Sequence, residues 1–121
     1  MTLLKIDHVQ LAMPKGQEDK ARAFYGELLA LPEVAKPADL AKRGGVWFQK
    51  GCLKVHLGVE HDFKPARKAH PAFEAGDLTI LQKKLNEAGH ETTSDDLLEG
   101  FDRFFVNDPF GNRLEFLQPY K

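Results

Sequence analysis

The apolar residues of this chain run twice through one order, a strand, then a helix, then paired strands, and that duplication constrains the fold more than any other feature. In the first pass residues 3–12 alternate, with Val9 and Leu11 on one side and Ile6, His8, Gln10 and Ala12 on the other, until Pro14 and Gly16 interrupt them. Over residues 17–30, Ala21, Phe24 and Leu28, continued by Leu31, recur at a spacing of three and four. Glu18 and Asp19 fall in the first turn, where the helix dipole favours acid, and Pro32 ends the run. Alternation then returns over residues 45–50 and 52–59 on either side of Gly51, which predicts a β-hairpin.

The second pass begins at His70. Asp77 is a good N-cap for a helix carrying Leu78, Leu81, Leu85 and Ala88, and Gly89 is a good residue to close it. Residues 101–107 and 112–118, around Pro109 and Gly111, predict a second hairpin. His70 follows His8 by 62 residues and Glu115 follows His56 by 59, so the two halves keep nearly one register. The expected organisation is one α+β domain over 1–121: module one about 1–60, a polar Pro-containing linker about 61–69, and module two about 70–121. A length of 121 residues suits one such domain.

Bulk properties exclude several classes of partner. Seventeen basic against eighteen acidic residues give a formal charge of −1, too little field to hold a nucleic-acid backbone or an anionic membrane. No apolar run approaches the roughly 20 residues of a membrane-spanning helix. Cys52, the single cysteine, has no partner for an intrachain disulfide and is read as structural, and residues 1–5 lack the apolar run of a signal peptide. Together these predict a cytoplasmic protein that acts on a small molecule.

Strand alternation also sorts polar side chains by face. His8 and Gln10 share the face away from the helix in the first strand, as do Lys54 and His56 opposite Leu53, Val55 and Leu57. His70 and Glu74 oppose Pro71, Phe73 and Ala75, while Arg113 and Glu115 oppose Leu114 and Phe116. If the sheets curl toward each other, these faces wall a cavity in which an uncompensated charge is costly. Imidazole and carboxylate are good ligands for Zn²⁺, Ni²⁺, Mn²⁺ or Fe²⁺, so His8, His56, His70 and Glu115 form the expected metal set. Arg67 and Lys68, just before His70, suit a carboxylate or phosphate of the substrate; Gln10, Arg113 and Trp47 complete the expected substrate-binding residues. Trp47, Phe48, Phe104 and Phe105 are divided between cavity wall and core packing, and His61 and His90 are expected at the surface.

Four runs carry a resemblance over nearly the whole chain: Ile6-Asp7-His8-Val9-Gln10-Leu11, Ala23-Phe24-Tyr25-Gly26-Glu27-Leu28-Leu29, Val55-His56-Leu57, and Asn107-Asp108-Pro109-Phe110-Gly111-Asn112-Arg113-Leu114-Glu115-Phe116. The sequence resembles the vicinal oxygen chelate superfamily, which includes glyoxalase I, fosfomycin-resistance transferases, bleomycin resistance proteins and extradiol dioxygenases. The resemblance implies two βαβββ modules whose mixed sheets form a cup, the glyoxalase/bleomycin-resistance/dioxygenase fold, in a homodimer. It puts metal ligands on the first and last strand of each module, at the positions of His8, His56, His70 and Glu115.

One departure bears on the chemistry. Where glyoxalase I holds a glutamate that shares in proton transfer, this sequence has His56, and only Glu115 remains as a carboxylate base. His56 is left open between a ligand, a second base near neutral pH, and a bystander to a His-His-Glu triad. Residues 91–100 also lack a match for the potassium-binding loop of the fosfomycin transferases. The resemblance implies a metal-dependent lyase or isomerase that chelates an oxygenated substrate and stabilises an enediolate-like species, with Glu115 and His56 as catalytic residues. Its alternatives are an Fe²⁺ dioxygenase of the extradiol type using His8, His70 and Glu115, and a metal-free small-molecule binding protein of the antibiotic-resistance kind.

Overall fold

The computed structural model describes residues 2–120, which fall into two compact units, Met1–Lys64 and Pro65–Lys121. In the first unit β1 (Val9–Met13) is followed by a helical segment, α1 (Glu18–Ala21) continuing as a π-helix over Arg22–Leu28. Then come β2 (Glu33–Val34), the short α2 (Ala38–Ala41), and the hairpin of β3 (Val46–Lys50) and β4 (Leu53–Val59). In the second unit β5 (Ala72–Glu74) leads to α3 (Leu78–Glu87), β6 (Thr92–Asp95), β7 (Phe101–Asn107) and β8 (Arg113–Pro119).

The sheets are ordered β1-β4-β3-β2 and β5-β8-β7-β6. In each, the first strand lies parallel to the last and the other pairings are antiparallel. The same mixed topology in both units is the duplicated βαβββ module that the sequence predicts. Among the described residues no helix is long and apolar enough to cross a membrane.

Alternation decides what each sheet buries. Leu11, Met13, Val46, Phe48, Val55 and Leu57 pack inward with Ala21, Phe24 and Tyr25 in the first unit. In the second unit Phe104, Val106, Leu114 and Phe116 are buried, as are Leu78 and Leu85 of α3. Phe48 and Phe104, divided earlier between wall and core, are thus core residues. Asp77 caps α3 by accepting a hydrogen bond from Ile80 N at 3.1 Å, and Gly89 closes it with φ +90°, as their residue types predict.

Three elements depart from the sequence expectation. The strand predicted from residue 3 begins only at Val9, and Leu3, Leu4 and Ile6 are at least 83% exposed. The register Val9↔Val55 accounts for this, because β4 begins at Leu53 and residues 3–6 run past the end of the only strand that β1 pairs with. The first helix widens where Leu29 N donates to Phe24 O, five residues back, and Leu31 N donates to Tyr25 O. The wider turn brings both Phe24 and Tyr25 into the core and leaves Leu28 only half-buried, against the three-and-four stripe expected. The second pass of strands starts at Ala72 rather than His70, and β2, α2 and β6 lie in segments whose polar composition gave no periodic signal.

The turn from β7 to β8 shows why its sequence reads Asn-Asp-Pro-Phe-Gly-Asn. Asp108 Oδ1 accepts from Phe110 N and Asn112 N, both at 2.9 Å, while its Oδ2 accepts from Asn112 Nδ2 at 3.0 Å. Gly111 adopts φ +93°, and a Cβ there would lie 3.3 Å from Pro65. Asn112, itself 1% exposed, uses its Oδ1 to accept from Ala66 N at 3.1 Å, and Ala66 O accepts from Arg113 N at 2.9 Å. The start of the second unit is thereby stitched to the start of β8. Asp108→Ala leaves three donors without this acceptor, so thermal unfolding is expected to show a loss of about 3 kcal/mol; a loss under 1 kcal/mol would contradict this account of the turn.

Candidate functional site

Each unit brings one pair of the sequence-predicted ligands together. Continuing the registers outwards, His8 falls opposite Lys54 and His70 opposite Arg113. Each histidine therefore sits diagonally from the residue two places further along the last strand, His56 in the first unit and Glu115 in the second.

In the first unit His56 lies at the centre of the sheet, with Gln10 and Trp47 as its register partners on β1 and β3. Its ring stacks on Trp47 at 3.9 Å, within 5° of parallel, and His8 stacks at 4.3 Å. His56 is only 8% exposed, and burial, reinforced by the nearby His8, pushes its pKa below the ordinary imidazole value. His8 Nδ1 lies 3.0 Å from Asp7 Oδ1, and this bond, with Lys54 close by, holds the Asp7 carboxyl below the usual carboxylate range. An Nδ1–H donated to that carboxylate leaves His8 Nε2 with its lone pair free. Gln10 runs across Gly58, where a Cβ would come within 2.6 Å of its Nε2, so the missing side chain makes room for the amide.

The second unit sets a tighter constraint. His70 Nδ1 is 2.8 Å from the carbonyl oxygen of Lys68, which can only accept, so Nδ1 carries a proton. A neutral His70 then turns the lone pair of Nε2 toward Glu115 Oε1, only 2.9 Å away. Two acceptors do not approach so closely with nothing between them; a proton or a metal ion has to lie there. The 2.9 Å spacing is that of an ordinary N–H···O hydrogen bond, and imidazole nitrogen and carboxylate oxygen are also the donor types of a divalent-metal site. Glu115 is 6% exposed, and its Oε2 accepts from Arg103 Nη1 at 3.4 Å.

Arg103 is the residue that sequence reasoning missed. It also reaches Asp95 Oδ1 at 3.3 Å, and its Nε is buried without a hydrogen-bond partner among the described residues. Leu97 N and Arg103 hold the Asp95 carboxyl below its ordinary range. The signal was available: the alternation that buries Phe104 and Val106 sends Arg103 and Phe105 to the face that carries Glu115, with Phe105 and Glu115 directly opposed.

The other expected contacts divide. Arg113 does not pair beside Glu115 but lies over the Phe105 ring at 4.1 Å, and His70 meets the same ring edge-on at 5.5 Å. Arg67 lines a cleft with Arg113, whereas Lys68 contributes only its carbonyl, its side chain being exposed. His61 is exposed, as expected, and His90 is half-buried. Neither unit by itself gathers three His, Cys, Asp or Glu side chains able to hold a metal, among the described residues.

A glyoxalase family protein from Bacillus anthracis is 45% identical in sequence and superposes with a TM-score of 0.95, covering 99% of this chain and 98% of that one. The chain belongs to the glyoxalase family. The vicinal oxygen chelate resemblance is thereby established for this glyoxalase family member, and so is its fold. A glyoxalase/dioxygenase from Nostoc punctiforme shares the fold at 20% identity and a TM-score of 0.81, over 99% of this chain and 94% of that one. A lactoylglutathione lyase from Agrobacterium tumefaciens shares it at 19% identity and a TM-score of 0.67, over 91% of each chain. No family model and no curated protein matches the sequence.

Trp47, the single tryptophan of this family member, stacks on His56 and so reports its protonation. Because imidazolium quenches indole emission more strongly than imidazole, fluorescence of metal-free protein should fall on acidification with a midpoint below roughly 6.5. His56→Gln should abolish the transition. The unfolded chain takes up this proton first, so His56 also makes stability decline as pH falls below its unfolded value. A midpoint at or above 6.5 would contradict the buried, stacked environment.

Proposed function

We propose that this glyoxalase family member is a metal-dependent enzyme that moves a proton beside a carbonyl or hydroxyl of a small oxygenated substrate, a lyase or isomerase. Its proposed ligands are His70 and Glu115 in the second unit and His8 and His56 in the first. The reading is carried by one observation, the Nε2 lone pair of His70 facing Glu115 Oε1 at 2.9 Å. The donor types suit a divalent ion such as Zn²⁺, Ni²⁺, Mn²⁺ or Fe²⁺.

When bound, the ion supplies Lewis acidity to substrate oxygens. The remaining work belongs to the chain's own groups. Glu115 presents Oε1 toward His70, while Arg103 holds Oε2 and balances the carboxylate charge. His56, kept neutral by burial, is a base at neutral pH, and Trp47 and His8 fix its plane by stacking on both faces. Gln10, beside His56 on the neighbouring strand, offers an amide to a substrate oxygen.

A second reading is favoured by Arg103. Its guanidinium compensates Glu115 without any ion, so a proton shared by His70 and Glu115 satisfies the same geometry in a metal-free binding protein. Elemental analysis of protein purified without chelators separates the two. About one equivalent of metal is expected, removed by His70→Ala and by Glu115→Ala. Affinity should fall as pH drops through the imidazole range near 6.5, because a protonated ring cannot ligate. Absence of stoichiometric metal after reconstitution with each of the four ions would overturn the enzyme reading and leave the binding protein.

A further inference from the structure

Beside the His70–Glu115 pair the second unit carries a cleft of about 450 Å³, lined on one side by Arg67, Arg113 and Asn107 and elsewhere by Thr93, Ser94 and Phe105. Arg67 is brought there by the stitching of Ala66 to Asn112 and Arg113, which fixes the backbone of residues 65–67 alongside the start of β8. Arg113 is held by its stack on Phe105, a contact that uses the face of the guanidinium and leaves its N–H edges available. Among the described residues neither guanidinium has a carboxylate within ion-pair distance. Of the two acids that line the cleft, Asp95 is bonded by Arg103 and Leu97 N, with a weaker, longer-range attraction to Arg113, and Glu91 is exposed to solvent. Arg113, seated on Phe105, and the exposed Arg67 present two guanidinium groups beside uncharged donors, the chemistry of an oxyanion site.

We infer that Arg67 and Arg113 form a subsite for the anionic group, carboxylate or phosphate, of a small organic acid. Arg113 and Glu115 are two residues apart on the same face of β8, about 7 Å along the strand. An acid anchored on the two arginines therefore extends its next few atoms toward His70 and Glu115. As the anchor of a substrate, the subsite rests on the function proposed above. As an anion site, it stands on Arg67 and Arg113 and needs no metal.

The test is an NMR titration of the full chain in chelator, with inorganic phosphate in one arm and acetate in the other, at ionic strength matched with sodium chloride. Saturable shifts at Arg67, Arg113 and Asn107 are expected, with a dissociation constant on the order of 1–10 mM for the favoured anion. Phosphate binding well above acetate assigns a phosphate ester, and the reverse assigns a carboxylic acid. Arg67→Gln and Arg113→Gln should each weaken binding about tenfold, their spectra verifying that the fold is kept, and Lys83→Gln, an exposed cation on α3, should leave it unchanged. Linear, non-saturating shifts, or unaltered affinity in Arg67→Gln, where no packing is disturbed, would overturn the inference. Binding that survives both arginine variants would overturn it too, while leaving the metal reading intact.

Discussion

The contact of His70 Nε2 with Glu115 Oε1 at 2.9 Å is the constraint around which the second unit is arranged. The Lys68 carbonyl fixes the proton of His70 on Nδ1, so the other nitrogen of a neutral ring has nothing to donate to Glu115. Glu115 is nearly buried on a central strand, where an uncompensated carboxylate is costly. Arg103 balances one oxygen, and the second faces Nε2 across 2.9 Å, a gap that a proton or a metal ion has to fill.

The first unit solves a related problem with different residues. Its equivalent of Glu115 is His56, and its burial is met by two aromatic faces rather than by a salt bridge. That substitution trades a charged acceptor for a ring whose pKa burial lowers, so no cation is needed beside it. Asp7 and Lys54 then orient His8 from the exposed edge of the strand. Duplication thus preserves the position of each functional pair through strand register while allowing the chemistry at one position to diverge.

Much of this is legible in the sequence because strand alternation is a local property. Val55 and Leu57 bracket His56, and Leu114 and Phe116 bracket Glu115, so the faces follow from neighbours one residue away. Asp77 and Gly89 mark the ends of α3 for equally local reasons. The failures are non-local. Whether residues 3–8 continue a strand depends on where the partner hairpin ends, some forty-five positions later, and the π-helical turn reflects what Phe24 and Tyr25 pack against. The role of Arg103 follows from alternation plus a register that places Phe105 opposite Glu115, and no local pattern gives that register. Lys68 serves through its carbonyl, for which side-chain chemistry offers no clue.

The central claim is that a divalent metal, and not a proton, belongs between His70 and Glu115. Anomalous diffraction from crystals grown with Zn²⁺, recorded on both sides of the zinc absorption edge, measures this directly. The account predicts one strong peak about 2.1 Å from both Nε2 of His70 and Oε1 of Glu115. No peak there, with the nitrogen and oxygen still 2.9 Å apart and zinc bound elsewhere or not at all, would contradict it.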